Sequence, residues 1–135
     1  MAFQLSVAVR NAMLDAIETT ISTSAVLKIK SGAPPATCAT ADSGTVLATC
    51  SLPSDWLAAA SSGSKAKSGT WEDTSADATG TAAHFRIYAS DGTTCHAQGT
   101  VTATGDGGDL TVDNTSFSSG QAFTVTAFTL TAANA

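Results

Sequence analysis

The stretch from Ala82 to Ala103 constrains the fold most tightly. Ala83, Phe85, Ile87 and Ala89 alternate with His84, Arg86 and Tyr88. After Asp91-Gly92, Cys95, Ala97, Gly99, Val101 and Ala103 alternate with His96, Gln98, Thr100 and Thr102. Strand side chains point to opposite faces in turn, so a period of two on both sides of an Asp-Gly turn reads as a β-hairpin. The faces also set the register. A two-residue Asp91-Gly92 loop places Phe85 beside Gln98 and Ile87 beside His96. A shift by one places Phe85 beside Gly99, Ile87 beside Ala97 and Ala89 beside Cys95. Because a one-residue slip moves every side chain to the other face, only the second register keeps apolar residues together. A three-residue loop or a β-bulge is therefore expected.

Upstream the period is different. Leu5, Val9, Met13, Ile17 and Ile21 recur every four residues, with Ala12 and Ala16 beside them and Arg10, Asp15 and Glu18 largely on the other side. This predicts an amphipathic helix over Leu5–Ile21 whose apolar face is narrow. Past Ser22-Thr-Ser24, Ala25, Leu27 and Ile29 alternate with Val26, Lys28 and Lys30, the pattern of a half-buried strand. Pro34-Pro35 ends it, since proline cannot donate to a ladder. Thr45–Cys50 reads as a short strand. Ser54 is a candidate N-cap for a short helix, Asp55–Ala60, and Ser61–Gly69 reads as a flexible surface loop. Further strands are expected from Thr70, at Leu110–Asp113 and over Gln121–Ala132, with a loop at Asn114–Gly120. In the last strand Phe123, Val125 and Ala127 share one phase and Phe128 and Leu130 the other, which implies a bulge near Ala127 or burial of both faces. The whole reads as a single, mainly β domain. It is expected to be an antiparallel β-sandwich or jelly-roll-like body over 25–132, preceded by one N-terminal amphipathic helix within 1–22.

Composition decides what such strands can bury. Ala 26, Thr 22, Ser 16 and Gly 11 fill 75 of the 135 positions, against 29 larger apolar residues. At about 0.8 kcal/mol per buried methylene, an interior of small side chains gains little per residue ordered, so either modest monomer stability or extra burial through assembly is expected. The formal net charge of −5, with no basic run, argues against a nucleic-acid partner. No apolar stretch approaches the ~20 residues of a membrane-spanning helix, so no membrane partner is expected. Met1–Arg10 carries no basic residue ahead of its apolar stretch, which points to synthesis and initial retention in a cytoplasm. In that reducing compartment Cys38, Cys50 and Cys95 are expected as free, buried or half-buried thiols, with Cys38–Cys50 the local pairing if a bridge forms.

Little in the sequence points to catalysis. In the favoured register His84 faces Thr100 and His96 faces Tyr88, over ~13 Å apart at about 3.4 Å per residue. A shared metal needs both imidazole nitrogens at ~2 Å. Asp106, Asp109 and Asp113, with Asn114, have the look of one calcium-binding nonapeptide. That motif works as stacked copies, and Asp and Gly are ordinary turn residues. No cofactor and no metal are expected, and these three aspartates are the calcium candidates. Neither Gly-x-Ser-x-Gly nor a phosphate-cradling glycine motif occurs, so no enzyme is expected. Trp56, Trp71 and Tyr88 are the rings available to stack on a sugar, which defines an alternative reading as an extracellular glycan-binding module. Lys65 and Lys67, in the predicted loop, are the basic cluster open to an acidic partner.

Ser6–Glu18, Leu52-Pro-Ser-Asp-Trp-Leu57, Gly69-Thr-Trp-Glu-Asp73, Gly80–Tyr88 and Asp91–His96 are distinctive in combination. With the Thr/Ala-rich tail, the chain resembles, over nearly its whole length, small virion structural proteins of tailed bacteriophages. The resemblance implies a non-enzymatic virion component. Its first form is a capsid decoration or cement protein on the outside of the assembled shell, and the alternative is a tail or head–tail joining component. It implies the major capsid protein or other virion proteins as partners, together with copies of the chain itself, trimers included. It also implies location in the virion after synthesis in a host bacterial cytoplasm. The candidate contact residues are Leu5, Val9, Met13 and Ile17 on the helix, with Lys65 and Lys67.

Overall fold

The computed structural model describes residues 2–134. Its one helix, α1, runs Val7–Ile21, starting two residues later than the apolar period suggests because Ser6 caps it. Ser6 has extended backbone, and its Oγ accepts from Val9 N at 3.3 Å. Ser22, at φ 74°, stops the helix and donates its N–H to Glu18 O. Short strands follow: β1 (Val26–Lys30), β2 (Val46–Ser51), β3 (Ser64–Ala66), β4 (Trp71–Asp73), β5 (Gly80–Thr81) and β6 (His84–Tyr88). They continue with β7 (Cys95–Ala103), β8 (Leu110–Val112), β9 (Ser116–Phe117), β10 (Phe123–Val125) and β11 (Thr129–Thr131). The fold is mainly β. A five-stranded sheet in the order β2-β1-β6-β7-β8 is accompanied by three two-stranded ladders, β4 with β10, β3 with β11 and β5 with β9.

The hairpin adopts the register that apolar pairing requires. Phe85 lies opposite Gly99, Ile87 opposite Ala97 and His84 opposite Thr100. A Cβ on Gly99 would come within 2.8 Å of the Phe85 ring and 2.9 Å of Asp109, so any larger residue here must displace one of them. The expected irregularity falls between Ile87 and Tyr88, where Tyr88 pairs with Cys95 and His96 is the extra residue. This corrects two expected pairs. Cys95 leaves the face of Ala97 and joins that of Tyr88, while His96 is exposed. The turn itself closes through Gly92 N to Ala89 O and through Asp91, which accepts from Thr93 N and Thr94 N.

The sheet is not wholly antiparallel, as β8 runs parallel to β7 with Val101 opposite Leu110. Parallel neighbours ordinarily need a dozen or more connecting residues. Residues 104–109 suffice here because β8 is short and Asp109 ties the loop back, its Oδ2 accepting from Thr100 N (2.8 Å) and Thr100 Oγ1 (2.9 Å).

Leu27, Ile29, Phe85 and Ile87 fill one face of the sheet; Trp71 and Val125 of the β4–β10 ladder, and Phe128 just before β11, join the same core. Trp56, Trp71, Phe128 and Phe85 form a continuous run of ring contacts, with centroids 5.4–5.9 Å apart. Burial of all five β6 residues, Arg86 and His84 included, means that the opposite face is covered too.

Four expected elements come out differently. The loop expected at Asn114–Gly120 contains β9, which pairs with β5 through Phe117 and Gly80. Asp55–Ala60 is not helical, because its backbone donors are taken from outside the segment: Leu57 N by Glu18, Ala60 N by Asp15 and Ala58 N by Ala66 O. The stretch read as a flexible loop, 61–69, contains β3, paired with β11. The phase change near Ala127 is a break between two strands in different ladders, β10 and β11.

Candidate functional site

Helix α1 is attached to the body by its charged side. Arg10 Nη1 donates to Ala132 O at 3.2 Å, and Asn11 Oδ1 accepts from Gly63 N at 2.9 Å. Gly63 has φ +76°, and a Cβ there would lie 2.4 Å from Arg10 Nη1, so the close approach depends on glycine. Further along, Lys65 Nζ meets Asp15 Oδ1 at 2.7 Å and Glu18 Oε2 at 2.9 Å. Hydrogen bonds from Lys65 and from Ala60 N hold the Asp15 carboxyl below its usual pKa. Only Leu14 and Ile21 of the helix are buried. Asn134 closes the arrangement, accepting from Leu5 N and donating to Leu5 O.

The consequence is an apolar face directed outward. Val7, Val9, Met13 and Ile17 are exposed, Met13 by 52%, and Phe3 ahead of the helix by 82%; Leu5 is half-buried. The outward positions Ala8, Val9, Ala12, Met13, Ala16 and Ile17 carry no charge. Beside this face a cavity of about 400 Å³ opens between α1, β7 and β11, lined among others by Ile17, Ile21, His96, Ala97, Phe128 and Leu130. The structure thus leaves Val9, Met13 and Ile17 accessible, but it changes the reading of Lys65. That side chain is 2% exposed and occupied by two carboxylates, so it is no part of an open basic cluster. Lys67 donates to Gly69 O and lies 5.8 Å from the Trp71 ring centroid.

A second polar cluster, which the sequence did not disclose, covers the other face of the sheet. Residues 31–45 cross over Lys30, Arg86 and Tyr88 and bring Asp42 among them. Lys30 Nζ is 2.7 Å from Asp42 Oδ2, Arg86 Nη1 bonds Asp42 Oδ1, and Tyr88 OH donates to Asp42 at 2.7 Å. Arg86 Nη2 also reaches the carbonyls of Thr37, Cys38 and Thr40. Desolvation alone would raise the Asp42 pKa, but hydrogen bonds from Lys30, Tyr88 and Arg86 hold it far below the usual carboxylate range. Burial and the Asp42 carboxylate push the Tyr88 phenol up. His84 sits at the edge of this cluster, its Nδ1 2.7 Å from Gly32 O and its Nε2 buried without a partner. Burial lowers its pKa, with Lys30 and Arg86 acting in the same direction. The alternation Lys28, Lys30, His84, Arg86 reads as a solvent face from sequence; its signal was a long irregular segment carrying a single acid, Asp42.

No protein-family model, curated protein or solved structure matches the chain. The remaining candidates are therefore placed by geometry alone. Asp109 is engaged by Thr100, while Asp106 and Asp113 are exposed. Among the described residues no group of three or more His, Cys, Asp or Glu side chains gathers to hold a metal. Neither histidine hydrogen-bonds a serine or a carboxylate among the described residues. Trp56, Trp71 and Tyr88 are at most 1% exposed, so the aromatic platform that a glycan-binding reading needs is not formed. No described helix is long and apolar enough to cross a membrane. Cys50 is buried on the Leu27 face, its thiol pushed up to about 12 by desolvation and nearby carboxylates. Cys38 lies on the opposite side, which removes the Cys38–Cys50 pairing.

Proposed function

We propose that this chain is a non-enzymatic structural component of a tailed-phage virion, a decoration or cement protein that binds the outside of the assembled capsid shell. The observation that carries the reading is the inverted helix. Amphipathic helices ordinarily bury their apolar stripe in their own domain. Here charged and amide side chains do most of the docking, and Phe3, Val9, Met13 and Ile17 face outward beside an apolar cavity. Exposed apolar faces of this kind mark interaction sites.

The scale of the face also fits assembly. A fifteen-residue helix is about 22 Å long and, at about 10 Å wide, offers well under the roughly 800 Å² per partner of a stable pairwise interface. Such a contact becomes durable when many copies bind a repeating surface or one another, trimers included, because linked contacts add avidity. The layering that best serves this role is a sandwich, the five-stranded sheet as one layer and the ladders as the other, giving a stiff body that holds α1 at its surface. The sequence resemblance to tailed-phage virion proteins supplies the particle.

The test separates filled heads that lack tails from an infected-cell lysate and probes them for this chain. Stoichiometric amounts on those heads are expected. Recovery with tails alone transfers the chain to the tail or head–tail joint. Absence from every particle fraction overturns the virion reading.

A further inference from the structure

The bulge in the hairpin brings two of the three cysteines together. Cys95 pairs with Tyr88, so its side chain joins the sheet face covered by residues 31–45. Cys38 lies in that covering segment, its carbonyl accepting from Arg86 Nη2 at 3.2 Å. Both residues are half-buried on this covered face, where each thiol lies within the electrostatic reach of the other. Cys95 Sγ also donates to Ala97 O at 3.4 Å. Polar contacts also hold residues 31–45 to the sheet, among them Lys30, Arg86 and Tyr88 on Asp42 and Gln98 Nε2 on Pro35 O.

We propose that Cys38 and Cys95 are an oxidisable pair whose disulfide locks residues 31–45 onto the sheet once the chain meets an oxidising medium. The oxidant is a small-molecule disulfide such as oxidised glutathione. The Cys38 thiolate, its proton released to solvent, attacks one sulfur of the oxidant, breaks its S–S bond and expels one thiolate. The Cys95 sulfur, deprotonated in turn, attacks the Cys38 sulfur of the mixed disulfide and expels the second. Two protein thiols lose two electrons and two protons, and the oxidant leaves as two thiols.

Burial and the neighbouring Cys38 thiol push Cys95 up to about 12. Little of it is thiolate at neutral pH, so closure is slow and quickens with pH. A chain made in a reducing cytosol stays open during assembly and closes after release. That timing rests on the virion reading, whereas the bond itself does not.

The experiment uses the isolated full chain, purified reduced and then held with oxidised glutathione at about pH 8, a range in which ordinary thiols exchange. Intact mass is expected to fall by two hydrogen atoms, with a peptide map joining Cys38 to Cys95 and Cys50 left as the free thiol on unfolding. Tm should rise by about 10 °C, the scale for a cross-link over a long loop in a domain of this size. Cys50→Ser should behave as the native chain does, and Cys38→Ser and Cys95→Ser should each lose both the mass change and the Tm rise. An unchanged mass, a glutathione adduct that never resolves, or a bridge that uses Cys50 overturns the proposal. Because no particle is involved, these outcomes stand apart from those of the head-binding test.

Discussion

Helix α1 and residues 31–45 are both clamped to the β body, and in both places the body supplies the buried cation and the attached segment the acid. The stoichiometry is reversed. At α1, one cation, Lys65, meets two carboxylates, Asp15 and Glu18, which keep 50% and 22% of their side-chain exposure. At residues 31–45, two cations, Lys30 and Arg86, each 2% exposed, share one carboxylate, Asp42. The helix clamp is therefore tolerant, since loss of its cation leaves two acids that water can reach. The segment clamp has a single point of failure, since loss of its acid strands two buried positive charges.

The largest effect is expected from Asp42→Ala. Removing one partner of a buried ion pair typically costs about 3–5 kcal/mol. Partial exposure of Asp42 places this case near the lower end, at about 3 kcal/mol. Denaturant titration should show the loss, and limited proteolysis should cut first within residues 31–45. Lys65→Met comes next, at about 2 kcal/mol, the scale of hydrogen bonds to charged groups. Its proteolytic signature should move to α1 and residues 57–63, where the amides of Leu57 and Ala60 donate to Glu18 and Asp15. If Lys65→Met costs as much as Asp42→Ala, the count of acids per cation does not govern the two clamps.

Acid should sharpen the contrast at a scale of about 1 kcal/mol per pH unit for one group. His84 titrates near 6.5 when unfolded and lower when folded, because burial, Lys30 and Arg86 disfavour the imidazolium. The unfolded chain thus binds the extra proton. Stability tied to His84 is full above pH 6.5 and declines as pH falls from there toward the folded value. Asp42, whose folded pKa is depressed below 3.8, adds a second decline as pH falls below 3.8. Stability curves for the native chain and His84→Asn should diverge between pH 7 and 5, with the variant flatter. Parallel curves over that window would remove His84 from the acid response.

How much of this was legible in the sequence depends on which side of an element decided the outcome. The hairpin register followed from Phe85, Ile87, Ala97 and Gly99 because a slip would have exposed all of them at once. Strands β1 and β2 were visible for the same reason. Asp55–Ala60 was misread because local helix signals were overridden by distant acceptors, Glu18 and Asp15. Lys65 read as solvated because nothing within a few residues shows that two helical carboxylates reach it. The Asp42 cluster was invisible on similar grounds: strand alternation says that Lys30 and Arg86 share a face, but not that residues 31–45 return to cover it.

The smallest effect on stability carries the most information about α1. In a helix docked by its apolar stripe, placing a charge at Met13 would be a core substitution, and removing a buried Met side chain costs about 2–5 kcal/mol. Met13 is 52% exposed on the uncharged outer face, and glutamate forms helix about as well as methionine. Met13→Glu should therefore shift stability by no more than about 0.5 kcal/mol, as exposed substitutions do. On particles the ranking reverses. A charge in the middle of that face must lose its water when the face is covered, so binding to filled heads should fall at least tenfold, the equivalent of about 1.4 kcal/mol. Ala36→Glu, at an exposed position in the segment that covers the other face of the sheet, adds the same single charge and should bind better than Met13→Glu. Equal binding by Met13→Glu and the native chain would mean that the apolar face of α1 is not what the chain uses to attach.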